Sequence, residues 1–174
     1  MVFNLSRWRG FAFGGVVAVL MLAGVAWPQA QAEAQGITRP VIQAGGWAMI
    51  EHLPAAGSAP DSCMIVETDA AVALRSIGSA VDVMVANAHW DLPTRLHGAM
   101  QVATQNDHFA FPVTATTRNT AAALVDASTL PTLLDAMTQG TVIRVTLFPG
   151  MPVLVPMAGF TAALPAFRHC AGLS

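Results

Sequence analysis

Residues Val153 to Cys170, VLVPMAGFTAALPAFRHC, decide how this chain closes. The stretch reads as a last short strand within Met151–Met157, a turn at Gly159, and a terminal helix over about residues 160–171. Phe160, Ala163, Leu164, Phe167 and Cys170 or Ala171 recur at helical spacing and make one apolar stripe. Pro165 lies inside it, so the regular helix is expected to be short or kinked, starting near Thr161 or later. The helix ends at Cys170, one of two cysteines; the other, Cys63, lies near the start of the folded part. Two cysteines in an exported chain point to one disulfide, with free thiols or a disulfide-linked dimer as alternatives. A Cys63–Cys170 bond would tie the last helix to the first strands.

Export is read from the other end. Arg7 and Arg9 precede an uncharged run from Phe11 to Trp27, followed by the small-residue sites Ala30-Gln31-Ala32 and Ala32-Glu33-Ala34. This is the pattern of a secretory signal peptide over residues 1–32, cleaved after Ala32 or Ala34. A membrane role would come only from leaving it uncleaved. Its seventeen apolar residues span about 25 Å, short of a bilayer core. The expected location is periplasmic or secreted.

After residue 32 the chain holds ten acids, six arginines and no lysine, a net charge of −4. A weakly acidic chain without basic clusters argues against nucleic acid as a partner. Charged residues make up 10% of the chain, well under the usual quarter or so. A surface so poor in charge has room for an apolar docking patch.

Between the termini, residues 33–45 read as an extended leader and 46–174 as a single globular domain. Trp47–Glu51, Ser62–Thr68 and Ala80–Ala88 alternate as strands, with Met64 and Val66 opposite Cys63 and Ile65. Asp69–Ile77 is ambiguous, because its alanines favour helix. Leu96–Thr104 and His108–Thr116 flank Gln105-Asn106-Asp107 as a hairpin. Pro112 suggests an edge strand or a proline pointing outward. Ala121–Val125 and Thr141–Phe148 are further strands, with a turn at Pro149-Gly150. Ser128–Gln139 is the clearest helix, with Pro131 in its first turn, Leu130, Leu133, Leu134 and Met137 on one stripe, and Gly140 as a left-handed stop. The predicted class is α+β: a single twisted antiparallel sheet with two helices, about 128–139 and 160–171, packed on it, and one disulfide.

Signs of chemistry are sparse. The nucleophile-elbow pattern G-x-S-x-G does not occur. His52, His89, His97, His108 and His169 are scattered, and the methionines sit mostly at apolar-face positions, which suits core filling. No cofactor or metal is expected. Trp90, Asp91 and Arg95 are a candidate binding rim, and Thr116, Arg118 and Asn119 a candidate polar surface. The reading is a non-catalytic exported binding or accessory domain that meets an envelope or extracellular protein. The alternatives are a small exported hydrolase using His and Asp in a cleft, or a metal or redox carrier.

Trp47, Cys63 and the ending Gly159-Phe160-Thr161-Ala162-Ala163-Leu164 resemble those of small exported proteins of the invasion-associated locus B type. The resemblance implies a β-rich periplasmic domain with a non-enzymatic role. In this chain the second cysteine lies past that ending.

Overall fold

The computed structural model describes residues 36–69, 71–147 and 152–173. The predicted signal segment and the Pro149-Gly150 turn lie outside them. Alternating segments become strands β1 (Ile37–Ala44), β2 (Trp47–Leu53), β3 (Ser62–Glu67), β4 (Val72–Ile77), β5 (Ala80–Ala86), β6 (Ala99–Ala103), β7 (His108–Thr117), β8 (Thr120–Val125), β9 (Val142–Thr146) and β10 (Pro152–Pro156). The helices are α1 (Leu130–Gln139) and α2 (Phe160–Ala171).

The predicted α+β class is therefore corrected: the described chain is mostly β. Two segments account for much of the difference. Residues 37–44, read as a leader, pair antiparallel along β2. Residues 72–77, where alanines favoured helix, pair on one side with β3 and on the other with β5. Helix propensity differs between most residues by only about 0.7 kcal/mol at the extreme. Val72 and Leu74 each bury a whole side chain between two neighbours, at roughly 1.5–3 kcal/mol apiece.

Nor do both helices lie on one plain sheet. The ten strands follow the order β1-β2-β3-β4-β5-β8-β7-β6-β9-β10, but the ladder changes character in the middle of β7. Residues 108–112 of β7 pair with β6, whereas residues 113–117 pair with β8. Pro112 stands at the change of partner. It has no N–H to give a ladder, so it is tolerated where the strand leaves one neighbour for another. Of the two readings of Pro112 the edge strand fails, because β7 is interior, and the outward proline holds, because Pro112 is exposed.

The inward residues of β2 to β10 and of both helices meet in one apolar core, with Trp47, Phe160, Phe167, Met49 and Ile65 among its largest fully buried side chains. α2 packs against β1, β2 and β3 and also touches α1. Its buried residues are Phe160, Ala163, Leu164 and Phe167, the predicted stripe. It spans Phe160–Ala171, as the predicted 160–171, and continues through Pro165 at its sixth residue.

α2 is fixed at both ends. At its C-terminal end Cys170 is bonded to Cys63 of β3 across 107 residues of sequence, with Cα atoms 6.1 Å apart. At its N-terminal end Gly159 has φ +99° and lies against the backbone carbonyl of Ala44, while Gly45 lies against that of Ala158. Two chain segments touch backbone to backbone there, which side chains would prevent. Phe160 then meets Trp47 edge-on with ring centroids 4.8 Å apart. The Trp47 Nε1–H donates to the Pro156 carbonyl at 2.8 Å, joining the first hairpin to the last strand.

α1 begins two residues after the predicted Ser128. The Asp126 carboxylate organises its entry, accepting from the Ser128 hydroxyl at 2.5 Å, the Thr129 hydroxyl at 2.9 Å and the Thr129 N–H at 3.1 Å. Those bonds, the Ser128 hydroxyl first, hold its carboxyl below the ordinary carboxylate range. A lowered folded value means the contribution is complete above the unfolded pKa and is lost as pH falls through the folded one. The Thr129 amide resonance is therefore expected to titrate below about pH 4, and Asp126→Asn should abolish that titration. Gly140, expected as a left-handed stop, is extended at φ −83° and ψ 150°.

Both outer strands carry proline. β1 has Pro40, next to a shift of register, and β10 has Pro152 and Pro156. Proline on an edge removes donors that an added strand would need.

Candidate functional site

Alternation dictates that a strand buried on one face turns its other residues to the opposite face. Here many of those other residues are also apolar, and two of them, Ala73 and Ala122, are buried on that side as well. On the section formed by β2, β3, β4, β5 and β8, Ala48, Val66, Ala73, Met84 and Ala122 stand in one cross-strand row. Thr114 of β7 ends that row. The next row is Ile50, Met64, Arg75, Asp82 and Leu124. Leu124 is 60% exposed, and Ile77 at the end of β4 is 52% exposed. Ile50, Met64, Val66 and Met84 are half-buried.

One ion pair interrupts this surface. Arg75 and Asp82 are directly opposite on β4 and β5. The guanidinium holds the carboxylate at 2.6 Å and 3.3 Å through two nitrogens. Both side chains are largely covered, so the charge is neutralised within the surface rather than offered to a charged ligand.

The sequence-predicted residues gather at one end of the sheet. The loop after β5 is laid along the β7–β8 turn by backbone bonds, Asn87 N–H to Asn119 O at 2.9 Å and Leu92 N–H to Arg118 O at 2.7 Å. Trp90, Asp91, Arg118 and Asn119 thereby line a shallow recess with Ala88 and Thr117. Asp91 pairs with Arg118, at 2.9 Å and 3.4 Å. Arg95 is exposed and does not line the recess. The Thr116 hydroxyl is turned to the Thr120 carbonyl at 3.1 Å, leaving its neighbour Thr117 in the lining. Asp91 and Arg118 are both mostly exposed, 73% and 83%, and such a pair contributes little, about 0–1 kcal/mol.

Cys63 and Cys170 form the predicted bond. Of the histidines, His52 has an acid partner, its Nδ1 lying 2.7 Å from Asp61 Oδ1. Its Nε2 lies close to Gly36, where an added methyl group would meet it. Among the described residues no group of three or more His, Cys, Asp or Glu side chains could hold a metal ion. No described helix is long and apolar enough to cross a membrane.

The outer apolar rows were the feature least visible beforehand. Their signal was present in β3 and β8, Ser62–Glu67 and Thr120–Val125, where apolar residues occupy both alternating sets. That pattern marks a strand apolar on both faces.

No protein-family model matches the chain, and no curated protein does. Among solved structures, the fold is weakly similar to the crystal structure of invasion associated protein B from Bartonella henselae, at 13% identity and a TM-score of 0.39. The similarity covers 76% of this chain and 96% of that one.

Proposed function

We propose that this chain is an exported, non-catalytic binding or accessory domain that meets another protein in the cell envelope or outside the cell. The outer apolar face of β2, β3, β4, β5 and β8 carries the reading. Exposed apolar side chains are what a partner can cover, and here Leu124 and Ile77 are more than half exposed beside the half-buried Ile50, Met64, Val66 and Met84. The blunted edges favour contact through this face over strand addition. The cystine supports export, since such bonds persist in oxidising compartments. Kinship with the invasion-associated locus B type is part of the proposal. Its support is that the resembling residues Trp47, Gly159 and Phe160 meet at one joint.

Photo-crosslinking in the envelope of intact cells tests the contact. A photoreactive residue at Leu124 should give a discrete protein adduct, whereas one at the exposed Thr132 of α1 should not. Failure of positions 124, 64 and 84 alike to form any adduct would sink the proposal.

A further inference from the structure

The section of sheet formed by β6, β7, β9 and β10 carries a second surface, independent of the face just described. Alternation along β9 buries Ile143 and Val145 and turns Val142, Arg144 and Thr146 to the opposite side. Cross-strand pairing sets Arg144 between Leu154 of β10 and Ala103 of β6, with His108 of β7 next after Ala103. These residues line a recess of about 400 Å³, a volume within the usual range of small-ligand sites. No aspartate or glutamate lines it. Asp107, which precedes His108, lies with its carboxylate 3.5 Å from the Thr104 hydroxyl.

Arg144 stands apart from the other arginines. Arg39, Arg75, Arg118 and Arg168 each hold an acid, and Arg95 is exposed on a loop. Arg144 lies in a recess, and among the described residues no acid pairs with it. We infer that this recess binds a short organic carboxylate, whose charged end is held by the Arg144 guanidinium and whose apolar arm lies on Leu154 and Val142.

The guanidinium fork matches a planar carboxylate with two parallel N–H donors. Ala103 is small, so the row leaves a gap between Arg144 and His108 into which both can donate. The Gln101 amide and the Thr146 hydroxyl, opposite one another in the next row, add neutral donors beside it. On the other side Leu154 and Val142 are both exposed apolar side chains. Val142 lies two residues along the strand from Arg144, at about 6.8 Å, so the arm is that of a short acid rather than a long acyl chain. An inorganic phosphate has no such arm and would leave both side chains uncovered.

Titration of hexanoate into isotope-labelled protein, purified after expression of the full chain and followed by amide resonances, tests this. The amides of Gln101, Ala103, Arg144 and Thr146 should shift saturably, with a midpoint of about 1 mM, and hexanol should leave them in place. Arg144→Gln should weaken hexanoate by at least about 10-fold, with Arg144→Lys in between. Leu154→Ser should abolish the preference for hexanoate over acetate while leaving acetate binding unchanged. Both positions are exposed, so the circular dichroism melts should match the parent. A free acid and the last residue of a peptide offer the same chemistry. Acetyl-alanyl-leucine with a free terminal carboxylate separates them: tighter binding than hexanoate assigns a peptide end, weaker binding a free acid. Equal shifts with hexanoate and hexanol, an affinity unchanged in Arg144→Gln, or no saturable shift at all overturns the inference. None of these results bears on the contact at Leu124.

Discussion

Gly159→Ala is expected to destabilise the fold by about 2–6 kcal/mol, the sum of two separate effects. The first is local: at φ +99° an L side chain is strained, at about 1–3 kcal/mol. The second is spatial. A methyl group on Gly159 would run into the carbonyl of Ala44 and the amide of Gly45, and backbone on the first hairpin has no flexible side chain to move aside. Overpacking of this kind costs a further 1–3 kcal/mol or so. The natural control is Gly172, which also has positive φ but has nothing near the space a methyl would fill. Gly172→Ala should cost only about 1–2 kcal/mol. Urea midpoints of the two variants should differ clearly; equal midpoints would show that the contact at Ala44 does not matter. A domain of this size has about 5–15 kcal/mol in all, so Gly159→Ala removes a large share.

Removing the cystine should cost about as much. Replacing Cys63 and Cys170 together by alanine frees a loop of 107 residues in the unfolded chain. The chain-entropy model assigns roughly 4–5 kcal/mol to such a loop, and measured losses for native bonds run about 2–5 kcal/mol. The double variant should therefore unfold at a much lower urea concentration, and the parent should shift likewise once reduced. A change under about 1 kcal/mol would mean the bond adds nothing to what Trp47, Gly159 and Phe160 already secure. The two ends of α2 can be compared directly by combining the changes. If both serve only to hold that helix, the combined loss should fall short of the sum, because contacts sharing one element are not additive.

The sequence made parts of this legible for physical reasons. The α2 stripe was readable because 3.6-residue spacing persists from Phe160 to Phe167. The cystine was readable because two cysteines leave one intramolecular pairing. β4 was not, because an alanine-rich segment has weak preferences of its own and the neighbours on each side decide it. The change of partner at Pro112 depends on β6 and β8, strands that no local pattern names. In the recess, Trp90, Asp91, Arg118 and Asn119 were each recognisable as surface polar or aromatic groups. The pairing of Asp91 was not. Arg95, the closest cation in sequence, was the natural choice, yet the backbone bond between Leu92 and Arg118 brings a cation 27 residues away instead. The outer face was the hardest to see, because inward alternation alone accounts for each strand and leaves the remaining apolar residues looking incidental.

The prolines on β1 and β10 set a limit on size. A sheet that welcomed neighbours along its rims would lengthen without end, one molecule after another, toward fibres. With Pro40 at one rim and Pro152 and Pro156 at the other, that direction of growth is discouraged. A concentrated solution should therefore be slow to form filaments by strand addition at either rim.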